Sequence, residues 1–188
     1  LVAGLIGTLS QARIAEAQRA KAERRFNEVR QLAHFVLFDF DQAIRSGLTP
    51  ARKLLIGNAL EYLNRLAAEA AGDPALQKDL IEGYFKVGDV QGNLYGPNVG
   101  DLKSAKVSYE SALSLAEKLD HSSYRNAQSA RYLALANERL GDVLISTRDS
   151  ATALDQYRKA LSGFEVLSKK QPDKLELKLD VMNIRQKV

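Results

Sequence analysis

The sequence predicts an all-α protein built from antiparallel helix pairs, for two reasons. Residues 101–119 return in similar form at 149–167, so that Ala105, Tyr109 and Ala112 each have a counterpart 48 positions later. A fixed period in this range is typical of stacked-repeat proteins. The composition agrees, because 45% of the 188 residues are hydrophobic and only 4 are prolines. A chain of this length can form one helical domain with its own core.

The repeated pattern Ala-x-x-x-Tyr-x-x-Ala explains how the helices pair. Positions i, i+4 and i+7 share one face of an α-helix, where small alanines let a neighbouring helix approach. The tyrosine fills the space between them and keeps its hydroxyl near solvent or a partner group. Each copy is preceded by a helix carrying Gly-Asp-Val, at Gly88 and Gly141. Because the apolar spacing continues past both glycines, they predict close helix contact; the alternative is a helix C-cap.

The elements can be followed from the amino terminus. Residues 1–9 are an uncharged apolar run, much shorter than the roughly 20 residues that cross a bilayer. We expect the chain to be a piece of a longer protein, with residues 1–9 as the end of a transmembrane helix; a frayed terminus is the alternative. Residues 10–47 follow as one long helix, since no helix breaker occurs before Gly47.

Apolar residues in this long helix alternate at spacings of four and three, which forms a seam of about three heptads. Two interpretations remain open. The seam packs on neighbouring helices of the same chain, or it pairs two chains as a coiled-coil homodimer. The seam residues are Ala22, Phe26, Val29, Ala33, Val36, Phe40 and Ala43.

Residues 48–188 are expected to form the repeat domain. Pro50 is favoured in the first turn of a helix, and the helix that starts there should end at Gly72-Asp73-Pro74. A third repeat unit begins near residue 173 and is cut short at Val188, one position before its expected glycine. We expect about seven helices in all.

The second unit resembles the tetratricopeptide repeat, or TPR, in its spacing. Gly141 is followed by Ala153, Tyr157 and Ala160 after 12, 4 and 3 positions, as in the TPR pattern. The resemblance implies helix pairs stacked as a right-handed superhelix, preceded by the long juxtamembrane helix. The first unit departs from the pattern through about five extra residues within 92–100. Both units also lack the family tryptophan, and the period exceeds the usual ~34 residues.

Residues 11–30, rich in alanine and arginine after an apolar run, resemble the juxtamembrane segment of bacterial membrane-anchored serine/threonine protein kinases with a C-terminal TPR region. That resemblance implies an upstream kinase domain using ATP and Mg²⁺, a membrane anchor, and an extracytoplasmic position for this region. The basic residues beside the expected span favour the cytoplasm instead. Residues 1–188 contain none of the kinase motifs, so we expect no catalytic residues and no catalysis by this part.

The composition also limits the kinds of ligand that the chain is expected to bind. With 0 cysteines and 2 histidines, the chain offers no convincing zinc site, and we predict neither metal-binding nor cofactor-binding residues. The formal net charge of +4 is spread over helices where basic and acidic residues alternate. No basic stripe with neighbouring aromatic residues is present, so no nucleic-acid partner is predicted.

The TPR resemblance places a partner-binding face on the first helix of each pair, about one turn either side of its glycine. This face is mildly acidic, which favours a basic or mixed peptide; the alternative is that these residues only contact neighbouring helices. Two function classes stay open: an interaction or sensory region of a membrane-bound kinase, and a free-standing TPR scaffold or chaperone cofactor. The predicted face consists of Glu82, Phe85, Asp89, Asn93, Leu135, Glu138, Asp142 and Ser146.

Overall fold

The computed structural model describes residues 49–188 together with five helical residues nearer the amino terminus: Glu16, Arg19, Glu23, Phe26 and Arg30. Between residues 49 and 188 it contains six helices and no strand, which confirms the all-α fold for that range. The helices are α1 (Thr49–Glu69), α2 (Pro74–Gly92), α3 (Leu102–Asp120), α4 (Ala127–Ser146), α5 (Ser150–Lys170) and α6 (Leu175–Arg185).

The predicted membrane segment, residues 1–9, lies outside the described residues, as does most of the predicted long helix at 10–47. Within the part of the chain that the structure describes, no helix is both long and apolar enough to cross a bilayer. Of the seam residues only Phe26 is described. It is half-buried and packs against the main core of its own chain, while Arg30 pairs with Asp79 of α2.

Side-chain caps define where four of the helices begin. Asp101 shows the pattern: its carboxylate accepts hydrogen bonds from the backbone N–H of Ser104 at 3.0 Å and from the Ser104 hydroxyl at 2.8 Å. These two bonds lower the pKa of Asp101. Such caps satisfy donors that the first helical turn leaves free, and they fix the turns between helices. The four capping residues are Asp73, Asp101, Asn126 and Asp149.

Helices α2 and α3 pack antiparallel, with Gly92 against Ala105 and Gly88 against Tyr109. A Cβ atom on Gly88 would collide with the Tyr109 ring. Helix α2 also continues past Gly88 to Gly92, so close contact is confirmed and the C-cap alternative is wrong. Helices α4 and α5 repeat the arrangement, with Gly141 against the ring of Tyr157.

Helix α1 is a counterpart of α3 and α5, which the sequence analysis does not identify. Buried Ala59 lies 53 positions before buried Ala112, which lies 48 positions before buried Ala160. Leu66, Leu119 and Leu167 repeat the same spacing, and all three are buried. Helices α1, α3 and α5 are therefore the second helices of successive units, and α2, α4 and α6 are the first helices.

The buried apolar residues form two clusters that meet at α4. The larger cluster joins α1, α2, α3 and part of α4, and the smaller one joins α4, α5 and α6. Between α1 and α2, Leu63 packs on Gly83, where a Cβ atom would stand 2.9 Å from the leucine Cδ2. Helix α4 thus links the units: it packs on α2, α3 and α5 and reaches α6 through the ion pair of Arg131 with Asp180.

Candidate functional site

The first helices run parallel and form a surface that we call the front face. Along α2 and α4, Tyr132 donates to Glu82 and Arg139 pairs with Asp89, so the contacts advance in the same direction on both helices. The same holds for α4 and α6, where Arg131 pairs with Asp180 and Lys187 binds Glu138 just beyond the end of α6. Of the predicted partner-binding residues, Glu82, Asp89 and Glu138 take part in these contacts between first helices.

Asp89 is the centre of the first polar cluster on the front face. Its Oδ1 accepts a hydrogen bond from the Tyr109 hydroxyl at 2.8 Å and one from Arg139 Nε at 3.1 Å. The guanidinium also lies over the Phe85 ring, 4.5 Å from its centroid, in a cation–π geometry. Burial, followed by the charge of Asp89, raises the pKa of Tyr109 far above its ordinary value. The tyrosine therefore stays a neutral donor.

Asp142 is the centre of an equivalent cluster one unit later. It accepts from the Tyr157 hydroxyl at 2.9 Å and from Lys187 Nζ at 2.8 Å, and the same Nζ donates to Glu138 at 2.8 Å. Burial lowers the pKa of Lys187, but the hydrogen bonds to Asp142 and Glu138 outweigh it, and the net shift is upward. The ammonium also lies 5.1 Å from the centroid of the Tyr95 ring.

The two clusters follow one rule. In each, the aspartate after the unit glycine accepts a hydrogen bond from the tyrosine of its own second helix and from a cation of the next unit's first helix. Arg139 and Lys187 supply those cations from equivalent positions, 48 residues apart. The sequence analysis misses both cations. A repeated pattern could have indicated them, because Lys86 and Arg139 each lie two positions before a unit glycine, and Lys187 lies two positions before the place where the third glycine is expected.

The other predicted residues also have partners inside the chain. Glu82 accepts from Tyr132; burial and then this hydrogen bond raise the pKa of Tyr132 to about 12. The Asn93 side chain accepts from the backbone N–H of Tyr95 at 2.8 Å, and Ser146 donates to the Asp142 carbonyl at 2.8 Å. Leu135 is half-buried against both cores.

These contacts change the electrostatic character of the predicted face. The expectation of a basic or mixed peptide rests on the carboxylates of Asp89, Glu138 and Asp142, and all three already bind a cation of this chain. Half-buried pairs of this kind are satisfied locally, so the surface presents both signs of charge rather than a row of free acids.

A groove of about 180 Å³ opens between the two clusters. Its wall includes the charged groups of Arg139, Asp142 and Lys187, and its rim carries Tyr95, which is 73% exposed. The groove can donate and accept hydrogen bonds and stack an aromatic or cationic group. Among the described residues, no cluster of three or more potential metal ligands occurs.

The chain was compared with known proteins in three ways. No protein-family model matches it, and neither the curated proteins nor the solved structures include a significant match. Function is therefore inferred from the residues themselves.

Proposed function

We propose that residues 48–188 form a TPR-like interaction module, stacked as a right-handed superhelix, that binds a protein or peptide partner on its front face. Three features support it: helix pairs in contact through glycine and tyrosine, recurrence of that contact in successive units, and parallel first helices. Repeat stacks of this kind present extended binding surfaces rather than enclosed reaction sites.

The observation that carries this proposal is the exposed ring of Tyr95 beside the half-buried charges of Asp142 and Lys187. Tyrosine offers a large amphipathic contact area at a low cost in conformational entropy, and it is enriched among residues that dominate binding energy. Large aromatic side chains at the edge of a polar groove are therefore natural anchors for a peptide. We expect the partner segment to be of mixed polarity, with an apolar or cationic side chain over Tyr95.

A peptide selection with the intact chain tests this proposal. Peptides from a random displayed library would be selected on the wild-type chain and then titrated against Tyr95→Ala. We expect about tenfold weaker binding, because one anchor contributes on the order of 1.4 kcal/mol or more. Tyr124→Ala is the matched control, since Tyr124 is also exposed but lies on the turn between α3 and α4. Equal affinities for the wild type and both variants would contradict the proposal.

The connection to a kinase is the second part of the proposal. The resemblance of residues 11–30 to a kinase juxtamembrane segment supports a sensory region of a membrane-anchored serine/threonine kinase, on the extracytoplasmic side. ATP and Mg²⁺ would then belong to the kinase domain. A free-standing TPR scaffold or chaperone cofactor is the alternative. The upstream gene sequence decides: a Gly-rich loop with its lysine, His-Arg-Asp and Asp-Phe-Gly support the kinase, and another kind of domain supports the alternative.

Self-association through the seam is a third part. The seam spacing supports it, whereas Phe26 packs within its own chain. Light scattering on the chain with and without residues 1–30 tests it. A dimer that becomes a monomer on truncation supports pairing of two chains, and a monomer in both forms contradicts it.

A further inference from the structure

A second and larger groove lies between α3 and α5, away from the front face, and α4 forms its floor. We call it the α3–α5 groove. Its volume is about 1020 Å³, at the upper end of the range for ligand pockets, roughly 300–1,000 Å³. Its apolar lining comes from Leu113, Ala130, Leu133, Ala134, Gly163 and Val166.

The same position one unit earlier, between α1 and α3, is filled. There Ile81, Tyr84 and Leu115 are buried, and the Tyr84 hydroxyl donates to Asn64 of α1 at 2.7 Å. The residues at the equivalent positions in the next unit are smaller in all three cases. They are Ala134, Asn137 and Gly163. Less side-chain volume thus stands at these three positions of the α3–α5 groove lining, where Ala134 and Asn137 are buried and Gly163 packs on Ala134.

The charges along the edge of the groove also differ between the two units. Helix α5 lines the groove with Arg158, Lys159 and Lys170, all exposed. Their counterparts are Glu110 and Ser111 on α3 and Ser122 just after its end, and the counterpart of the groove residue Val166 is Lys118. One unit thus has a polar edge without net positive charge, and the next has an apolar strip flanked by three cations.

The acids near the groove compensate this positive edge only in part. Lys159 forms only an exposed pair with Asp155 on its own helix. Asp120 on the α3 side is buried and already bound to Arg125 and Ser129, which leaves Glu117 as the exposed acid of the lining. Lys159 and Lys170 are 11 residues apart, so the basic edge extends over roughly 16 Å, about three helical turns.

We propose that the α3–α5 groove binds an acidic amphipathic helix of a partner protein. The apolar face of that helix lies on Leu133, Ala134 and Val166, and its acidic flank runs along Arg158, Lys159 and Lys170. Gln156 belongs to the same lining, and its buried Oε1 has no hydrogen-bond partner among the described residues. This site is separate from the front face and does not depend on the function proposed for it.

Two synthetic peptides test the proposal on the intact chain. The first is an 18-residue helix with leucines at i, i+3, i+4 and i+7 and glutamates on one flank; the second has lysine at every glutamate. Fluorescence anisotropy of the labelled peptides measures their affinity. We expect the glutamate peptide to bind at least about tenfold more tightly, with affinity falling as salt rises, because exposed charges are screened. Equal binding of both peptides would overturn the proposal.

A variant with residues taken from the preceding unit supplies the structural test. Arg158→Glu, Lys159→Ser, Val166→Lys and Lys170→Ser together give α5 the edge of α3, and all four side chains are exposed. We expect at least about tenfold weaker binding of the glutamate peptide. Lys103→Ser with Lys178→Ser removes two exposed charges elsewhere and should leave the affinity unchanged. Thermal melts followed by circular dichroism check that each variant folds.

Two further outcomes would count against an acidic helix as the occupant. Unchanged binding by the folded four-residue variant would place the peptide elsewhere on the chain. The chain could also bind phosphatidylglycerol vesicles or a DNA duplex but not the glutamate peptide. If the four-residue variant then lost that binding, the basic edge would attract polyanions in general.

Discussion

The groove between α1 and α3 and the groove between α3 and α5 share one framework but differ in what fills them. Both lie beside a unit in which a glycine packs on a tyrosine ring, at Gly88 and at Gly141. We call the first the closed groove, because among the described residues the buried ring of Tyr84 fills it, whereas the smaller Asn137 lines the second. Stacking is thus determined by the repeated small residues and the polar clusters. The proposed binding surface differs from the closed groove at a few positions that vary between units.

The largest expected effect comes from opening the closed groove. Tyr84→Asn removes a buried ring and its hydrogen bond to Asn64. It should lower the free energy of unfolding by about 3–4 kcal/mol, as large-to-small core changes do. Urea unfolding followed by circular dichroism measures it.

The reverse exchange is the control. Asn137→Tyr adds a ring at a buried position that lines the α3–α5 groove, so it should cost less than Tyr84→Asn, about 1–2 kcal/mol, while weakening the binding of the glutamate peptide. If Tyr84→Asn and Asn137→Tyr lowered the stability equally, the two grooves would not differ in how fully side chains fill them.

The second effect concerns the feature that both units share. Gly88→Ala and Gly141→Ala each place a methyl group against a tyrosine ring, and overpacking of this kind should cost about 2 kcal/mol. Gly57 of α1 has no heavy atom within 4 Å of an added Cβ. Gly57→Ala should therefore stabilise the chain by up to about 1 kcal/mol. Thermal or urea unfolding of the three variants compares them, and a neutral Gly88→Ala would mean that the close contact is absent.

The smallest effect is a loss of stability in alkali. Burial and Asp89 raise the pKa of Tyr109 in the folded state, so the folded chain holds that proton more tightly than the unfolded chain, whose tyrosines ionise near pH 10. The contribution of Tyr109 to stability is therefore complete below about pH 10 and falls as the pH rises beyond it, by about 1.4 kcal/mol at pH 11. Tyr84, Tyr132 and Tyr157, whose pKa values are also raised, add to this loss.

Urea unfolding between about pH 9 and pH 11 measures this loss. Tyr109→Phe should flatten the decline, and the exposed Tyr124→Phe should retain the wild-type slope. Identical slopes in all three proteins would show that the proton on Tyr109 does not contribute.

The helices and their closest contacts could be predicted from the sequence because they depend on local spacing. Alanine and tyrosine at i, i+4 and i+7, and a glycine inside an apolar run, determine which faces meet. The role of α1 could not be found in that way, since it lacks the tyrosine and retains only buried apolar positions such as Ala59 and Leu66.

The candidate sites were harder to predict from the sequence, and for a different reason. The cationic partners of Asp89 and Asp142 come from the next unit, about 45 to 50 positions away. The α3–α5 groove depends on the combined volume of residues on facing helices. No single residue in the sequence indicates such a space, although aligning the two units position by position would have shown Ala134, Asn137 and Gly163 as smaller replacements.

Mapping the glutamate peptide by NMR on the isotope-labelled chain of 20.7 kDa tests the difference between the two grooves most directly. We expect the largest chemical-shift changes at the backbone amides of Ala130, Gly163, Val166 and Lys170, with those of Ile81, Tyr84 and Leu115 unchanged. Shift changes confined to the closed groove, or to Tyr95 and Arg139 on the front face, would contradict the assignment of an acidic helix to the α3–α5 groove.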